Sequence, residues 1–458
     1  MGILTRCFRV RMFFKRSMPI IRERAKHCVS RSNIDSDALK VLRRLSDLGY
    51  TAYLVGGSVR DLLLGRTPKD FDVGTNASPT EIRGIFRNCF LIGRRFRLAH
   101  IVFGKKVIET STFRRSPDEQ DTEYGLYQSE DNTFGTPEED AKRRDFTVNG
   151  LFYDIKTFAV IDYVDGLRDL DKRVLRSIGD PNVRFREDPV RMMRAVRFAA
   201  RLGFTIDRAS RKAIQKHHAD ILNASPPRVC EEVYRLFIGN ASSTAFRLLW
   251  EFGLLNDLLP NLDAFVRASG GAKSIVWKYL AAFDSDPVSE TATTGLRTAF
   301  LYYAMFKDRL VREAKQSPSE KGLSLRAAQS TLDEITNRLR IPKVAFFGAQ
   351  FLLDTQRRFN EIPRRDTHTF RFVQHESFLE SFALYRLVCA AEGADMAHCN
   401  TWQAFIDDKT NPRPGSGAGP KQRQERREHR EGRRRGGRGR RGGGHGTAPR
   451  QPQPPTDS

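Results

Sequence analysis

From Asp35 the chain repeats apolar residues at helical spacing: Val41, Leu45 and Leu48 fall on one face, Asp35 or Ser36 can cap the start, and Gly49 stands where a glycine ends a helix. The next apolar run, "TAYLV", is short and reads as a buried strand. Strands follow at "FDV", "HIVF" and "VIETSTF", with a helix from about Pro79 to Phe86 between them, which predicts a mixed α/β unit. In "TPEEDAKRRDFTVNGLFYD" Thr136 stands three residues before Glu139 and Pro137 falls in the first turn, so a capping box restarts helical structure. From about Asp188 to Glu392 the pattern is helices with short breaks, such as "SPPRVCEEVYRLF" and "STAFRLLWEFGLL". The expected fold class is therefore an α/β head followed by an all-α body.

Segments without a period frame these elements. The acidic, glycine-containing stretch from Ser116 to Phe134 predicts a mobile loop. The first 28 residues carry eight Lys or Arg and one Glu, a pattern that fits a basic arm, an organelle transit peptide or a true start at Met18. From Arg413 to Arg450 thirteen Lys or Arg face three Glu in a background of Gly and Pro, which predicts a disordered tail. Its "GRRRGGRGRRGGG" resembles arginine-glycine segments that bind RNA loosely, the alternative being a solubilising tail. The division expected is a basic N-terminal extension over 1–34, a head over 35–180, a helical neck over 181–240, a helical body over 241–408 and the tail over 409–458.

Composition narrows the partner. A formal net charge of +23 and a pI near 10.0 call for a polyanion, most simply nucleic acid, although an anionic membrane surface has the same electrostatics. No apolar run approaches the roughly 20 residues that span a bilayer, and arginines interrupt the N-terminus, so a cytoplasmic location is expected, with an organelle as the lesser alternative. Cys7, Cys28, Cys89, Cys230, Cys389 and Cys399 are scattered without Cys-x-x-Cys pairs and predict free thiols, not structural zinc.

The chemistry begins at "YLVGGSVRDLLLGRTPKDFDVGTN". Gly56 and Gly57 would end a strand and open a helix, offering unencumbered N–H groups to a triphosphate. On a strand Asp70 and Asp72 share a face, and two neighbouring carboxylates repel each other until divalent cations relieve them. Taken alone, Asp-x-Asp equally marks a polar strand face and Gly-Gly a tight turn; their conjunction favours a nucleotide site. Glu109 adds a third carboxylate if its strand lies beside the first, or else faces outward. Asp145, in "RRDFTVNG", stands near Arg143, Arg144 and Asn149, which can grip phosphate and ribose oxygens while Asp145 orients them; a surface salt-bridge cluster is the plainer alternative.

In "RFREDPVRMMRAVRFAARLGF", Pro189 opens a helix on which Arg191, Arg194, Arg197 and Arg201 share a face. Such a face is usually solvated or paired with acids. Asp188 and Arg191 also place an acceptor beside a fork of donors, able to meet the Watson–Crick edge of a base.

The ordered segments "LVGGSVRDLLLG", "KDFDV", "RRDFTVNGLFYD", "DYVDGLRDLDKRVLRSIG" and "EDPVRMMRAVRFAARLGF" resemble the class II nucleotidyltransferases, the tRNA CCA-adding enzymes and bacterial poly(A) polymerases. "LIGRRFRLAHIVFG", from Leu91 to Gly104, resembles the segment of the poly(A) polymerase branch. The resemblance implies a polymerase-beta-like nucleotidyltransferase head, an RNA-binding body and template-independent addition of AMP from ATP to RNA 3′ ends. A CCA-adding enzyme is the alternative, and an RNA-binding protein on an inactive scaffold a second. It implies catalytic Asp70, Asp72 and Asp145, with Mg²⁺ as cofactor held by Asp70 and Asp72 and by Glu109 if it joins them. Gly56, Gly57 and Arg60 would hold the triphosphate, Arg144 and Asn149 ribose and phosphate, and Asp188 and Arg191 the base, with Arg194 and Arg197 supporting that pocket. Ser58 stands where many members carry Gly or Ala. The partners implied are RNA 3′ ends, ATP and the RNA helicase and degradation machinery that accompany bacterial poly(A) polymerases; no membrane partner is expected, and the protein is expected to be a monomer.

Overall fold

The computed structural model describes residues 18–93, 97–115, 134–316 and 322–408. The loop expected over Ser116 to Phe134 lies outside them except for Phe134, which bridges Arg114; the arginine-glycine tail lies outside them entirely.

An eight-stranded mixed sheet forms the head. Its strands are β1 (Ile20–Arg22), β2 (Ala52–Val55), β3 (Asp72–Thr75), β4 (Cys89–Ile92), β5 (Leu98–Phe103), β6 (Lys106–Thr112), β7 (Leu151–Tyr153) and β8 (Val160–Asp162), in the order β1-β8-β7-β2-β3-β6-β5-β4. The β3–β6 pair is parallel and the other pairings are antiparallel. Helix α1 (Ser36–Asp47) is capped by Asp35, whose side chain accepts from the Asp37 and Ala38 N–H groups, and Gly49 follows it at φ +87°. Helix α2 (Gly57–Leu63) leaves the end of β2, and α3 (Pro79–Ile85) and α4 (Pro137–Arg143) both start in complete capping boxes, at Ser78 and Thr136.

Beyond the head come α5 (Gly166–Asp171), α6 (Pro181–Glu187), α7 (Val190–Leu202), α8 (Arg208–His217) and α9 (Pro226–Arg235), then further helices to Asp407. A short parallel pair, Val174–Leu175 with Thr205–Ile206, stitches the strand after α5 to the end of α7. One apolar core runs unbroken from Val29 through the sheet and α7 to Val388, and a second, aromatic one gathers around Phe359, Phe372, Phe378 and Trp402.

Two expectations are corrected here. Residues 18–34 belong to the head and not to a separate extension: β1 pairs with β8, and Val29 and Ile34 are buried in the core. Their charge masks this in the sequence, because the edge strand leaves Ile20 and Ile21 about half exposed. Asp70 precedes β3 and does not share it with Asp72, so strand alternation does not set the two carboxylates on one face. Removing residues 18–34 should cost about 3–6 kcal/mol, the burial of Val29 and Ile34. Denaturant unfolding should therefore show a chain starting at Asp35 clearly less stable than one starting at Met18.

Candidate active site

Strand register gathers the site. Val55 at the end of β2 pairs with Asp72 at the start of β3, and Val55 also pairs with Phe152 of β7, so the glycine turn, the first carboxylate and the "RRDFTVN" segment meet at one end of three adjacent strands. The Gly56 N–H donates to the Leu151 carbonyl at 3.0 Å. Gly56 has φ +72° and ψ −127°, a conformation reserved for glycine, and a Cβ there would stand 2.7 Å from Arg144 Nη1. Gly57 has ordinary φ, and a Cβ there would touch only Arg60. Gly56 is thus required by the backbone, whereas Gly57 keeps the cleft surface open. The Ser58 hydroxyl turns back to donate to the Val55 carbonyl at 3.0 Å, which accommodates the residue that departs from the motif.

The cleft in front of this turn has a volume of about 630 Å³. Gly57, Arg60, Asp70, Asp72, Arg144, Asp145, Asn149, Asp188, Arg191, Arg194 and Arg197 all line it. Gly56 lies buried behind the lining, and Glu109 stands outside it while its charge still acts on Asp72.

At the acidic end, burial first and then the charge of Glu109 raise the Asp72 carboxyl to about 6; Arg144 opposes this and Asp70 adds to it. An ionised Asp72 is therefore held at a cost that a hard cation with oxygen ligands would relieve. Among the described residues no three His, Cys, Asp or Glu side chains converge as a ready-made cage. The donor set suits a cation that also takes oxygens from substrate.

The rest of the site is a network of guanidinium groups held by acids. Arg144 donates to Asp140 through Nε (3.1 Å) and Nη2 (2.8 Å), leaving Nη1 against the glycine turn. Arg143 also bonds Asp140, at 3.2 Å. The expected grouping of both arginines around Asp145 is corrected: Asp140, one helical turn earlier, takes them. Asp145 instead accepts from Arg194 Nε (2.9 Å) and Nη2 (2.7 Å), from the Phe146 N–H and from Asn149 Nδ2. Burial alone would raise its pKa; Arg194 and these hydrogen bonds together hold it below the usual carboxylate range. With its oxygens so engaged, Asp145 binds the head to α7. Arg60 is likewise committed, donating to Asp61 (2.7 and 2.9 Å) and to Asn149 Oδ1.

On α7, Arg194 and Arg197 reach the buried Glu232 of α9, and Arg201 approaches Asp61 at 3.9 Å. The arginine face is the acid-paired kind, and it points inward. The Phe198 ring lies beneath the guanidinium groups of Arg60, Arg194 and Arg197 at 5.2, 5.4 and 4.5 Å from its centroid. Asp188 accepts from Arg228 at 2.8 Å through Oδ2, while its Oδ1 is buried without a hydrogen-bond partner among the described residues. Arg191 lies beside it, bonded to the Arg184 carbonyl at 3.4 Å.

The comparisons identify the scaffold. Residues 52–176 match the poly A polymerase head domain, 203–266 the probable RNA- and SrmB-binding site of polymerase A, and 319–439 the polymerase A arginine-rich C-terminus. The chain is 38% identical over 405 residues to poly(A) polymerase I of Salmonella typhi, covering 85% of this chain and 86% of that protein. The chain belongs to the poly(A) polymerase family of nucleotidyltransferases. It is also 39% identical over 223 residues to a CCA-adding enzyme of Lactobacillus helveticus, covering 48% of this chain and 54% of that one. The crystal structure of the Bacillus stearothermophilus CCA-adding enzyme in complex with CTP superposes with a TM-score of 0.55 at 27% identity, over 80% of this chain and 81% of that one. The α/β head and helical body expected from the sequence are thus those of the family, and no described helix is long and apolar enough to cross a membrane.

In this poly(A) polymerase-family cleft, sequence reasoning missed Asp140, Glu232 and Arg228, which hold the arginines and Asp188, together with Lys69 and Phe198. Asp140 was the findable one, lying at i−3 and i−4 from the two arginines it binds.

Asp72 and Asp145 should respond oppositely to loss of charge. The folded pKa of Asp72 is raised, so ionising it costs stability increasingly as pH rises from about 4 to about 6. Without divalent cation, Asp72→Asn should be about 1–3 kcal/mol more stable than the parent above pH 6, with no gain near pH 4. Added divalent cation should stabilise the parent and not the variant in thermal melts. Asp145→Ala removes the two close hydrogen bonds of Arg194, leaving it only the 3.5 Å pair with Glu232, and should cost about 3 kcal/mol at neutral pH.

Proposed function

We propose that this chain is a template-independent polynucleotide adenylyltransferase that transfers AMP from ATP to the 3′-hydroxyl of RNA and releases diphosphate, with Mg²⁺ as the divalent cation. The observation that carries the reading is the extent of similarity. Relatives named poly(A) polymerase I align through head, neck and body, whereas the CCA-adding relatives align over about half of the chain.

The geometry supports the reaction. Asp70 and Asp72 would hold the cations beside the glycine turn, and the Gly57 surface with Arg144 Nη1 would receive the triphosphate. Held there, a divalent cation would supply Lewis acidity, lowering the pKa of the attacking 3′-hydroxyl and offsetting charge on the leaving diphosphate. Arg60 and Asn149, locked by Asp61 and Asp145, would fix the position of the ribose and phosphates, so that positioning supplies much of the catalysis. The 3′-oxygen gives up its proton to solvent and bonds to the α-phosphorus as the bond to the α–β bridging oxygen breaks, its electron pair leaving with the diphosphate.

Base choice follows from the hydrogen-bonding inventory of Asp188 and Arg191. The free acceptor of Asp188 suits the amino group of adenine, and an Arg191 donor suits the adjacent ring nitrogen. Cytosine offers the same pair in the same order, while guanine and uracil reverse it. The side chains therefore reject GTP and UTP by pairing, and rejection of CTP falls to the depth of the pocket. This gives a physical reason for the kinship with CCA addition, which is the second reading.

The test supplies ATP, CTP, GTP and UTP separately with Mg²⁺ to two primers, an unstructured RNA and a tRNA transcript lacking its CCA end. Long extension of the unstructured primer by ATP alone is expected; addition of only C, C and A to the tRNA would establish CCA addition instead. No incorporation with RNA still bound would indicate an inactive scaffold. Arg191→Ala should lower discrimination against the other nucleotides by at least tenfold, since a lost pairing costs about 1–3 kcal/mol, with RNA binding little changed. Asp72→Ala should abolish incorporation and leave RNA binding intact.

A further inference from the structure

The register that brings Asp72 to the cleft also builds a second surface. Val73 pairs with Thr110 across β3 and β6, which sets Asp72 beside Glu109 one step earlier. Glu109 stands opposite His100 on β5, and His100 opposite Phe90 on β4. Opposed residues share a sheet face, so Asp72, Glu109, His100 and Phe90 form one row from the catalytic carboxylates to the sheet edge. The alternate residues Ala99, Ile101 and Ile108 are buried. The row's own face is open: Phe90 is 60% exposed and its neighbour Ile92 49%. His100 Nε2 lies 3.7 Å from Glu109.

Sheet order gives this face a direction. β2, with its glycine turn, lies on one side of β3, and β6, β5 and β4 lie on the other. An in-line displacement needs the attacking oxygen and the leaving diphosphate on opposite sides of phosphorus. If the triphosphate occupies the β2 side, the primer's 3′-oxygen must arrive from the β6 side, along this row. An exposed aromatic ring on a flat sheet is the surface on which unstacked bases of single-stranded RNA lie.

We propose that the open face of β4, β5 and β6 is the platform for the RNA primer, with Phe90 stacking on a base upstream of the 3′ terminus and His100 meeting the strand between Phe90 and the carboxylates. Three strand spacings separate β3 from β4, about 14 Å, so the ring lies beyond the terminal nucleotide. This inference rests on the adenylyltransferase reading for its reaction geometry.

The experiment measures steady-state kinetics with a short unstructured RNA for the full chain, Phe90→Ala and Phe90→Trp. Phe90→Ala should raise the primer KM about tenfold, the scale of one lost base–aromatic stack, with the ATP KM and kcat at saturating primer unchanged. Phe90→Trp should restore it, which a merely structural role would not predict. In parallel, RNA carrying 4-thiouridine near its 3′ end is irradiated with the protein without ATP, and the label should fall on the tryptic peptide containing Phe90. A primer KM unchanged by Phe90→Ala overturns the platform, and a dimer that Phe90→Ala dissolves, with primer KM unaltered, would assign the face to self-association. If the parent incorporates no nucleotide but crosslinks at Phe90, the adenylyltransferase reading fails and the RNA site stands; if it polymerises but crosslinks only elsewhere, the platform fails alone.

Discussion

Arg194 donates two hydrogen bonds to Asp145 across the boundary between the α/β head and the helices that follow. Most of the cleft's shape depends on this pair. Asp145 also accepts from Asn149, Asn149 accepts from Arg60, and Arg60 is closed off by Asp61, so α2, the segment from Asp145 to Asn149 and α7 are tied through one carboxylate. A buried network of this kind stabilises little relative to an apolar core of the same volume, yet breaking one member leaves a charge stranded. Its value lies in holding geometry: the wall carrying Asp188 and Arg191 is set against the wall carrying Asp72.

The two walls hold opposite charge, the arginine wall already partly offset by acids. Glu109 and Asp70 both push the Asp72 carboxyl up. Across the cleft, Arg197 is drawn down to about 10 by burial, against the pull of Glu232 and together with the push of Arg194 and Arg235. A nucleotide triphosphate chelated to a divalent cation carries both complements at once, with the cation facing the acids and the phosphates the guanidinium groups. On the arginine wall Asp145 and Glu232 offset part of the charge, and the ring of Phe198 packs under three of the guanidinium groups.

Local elements were legible in the sequence because their signals are local. The Asp35 cap, the Thr136 capping box, the glycine turn after "TAYLV" and the helix starting after Pro189 all rest on residues within one turn of each other. Residues named from the sequence reached the cleft because strand register converts separate motifs into neighbours, as Val55 and Asp72 show. What escaped was pairing set by packing. Glu232 lies 38 residues beyond Arg194, and nothing in "CEEVYRLF" distinguishes it from its exposed neighbour Glu231. The β1 strand escaped for a different reason: an edge strand with half-exposed isoleucines among arginines has the composition of a basic arm.

The apolar core that runs from Val29 to Val388 without a break has a mechanical consequence. A close-packed interior transmits displacement and does not absorb it, so the head has no apolar seam along which to hinge against the helices behind it. A displacement of α7 would therefore be passed on to the sheet that carries Asp72 and not taken up between them.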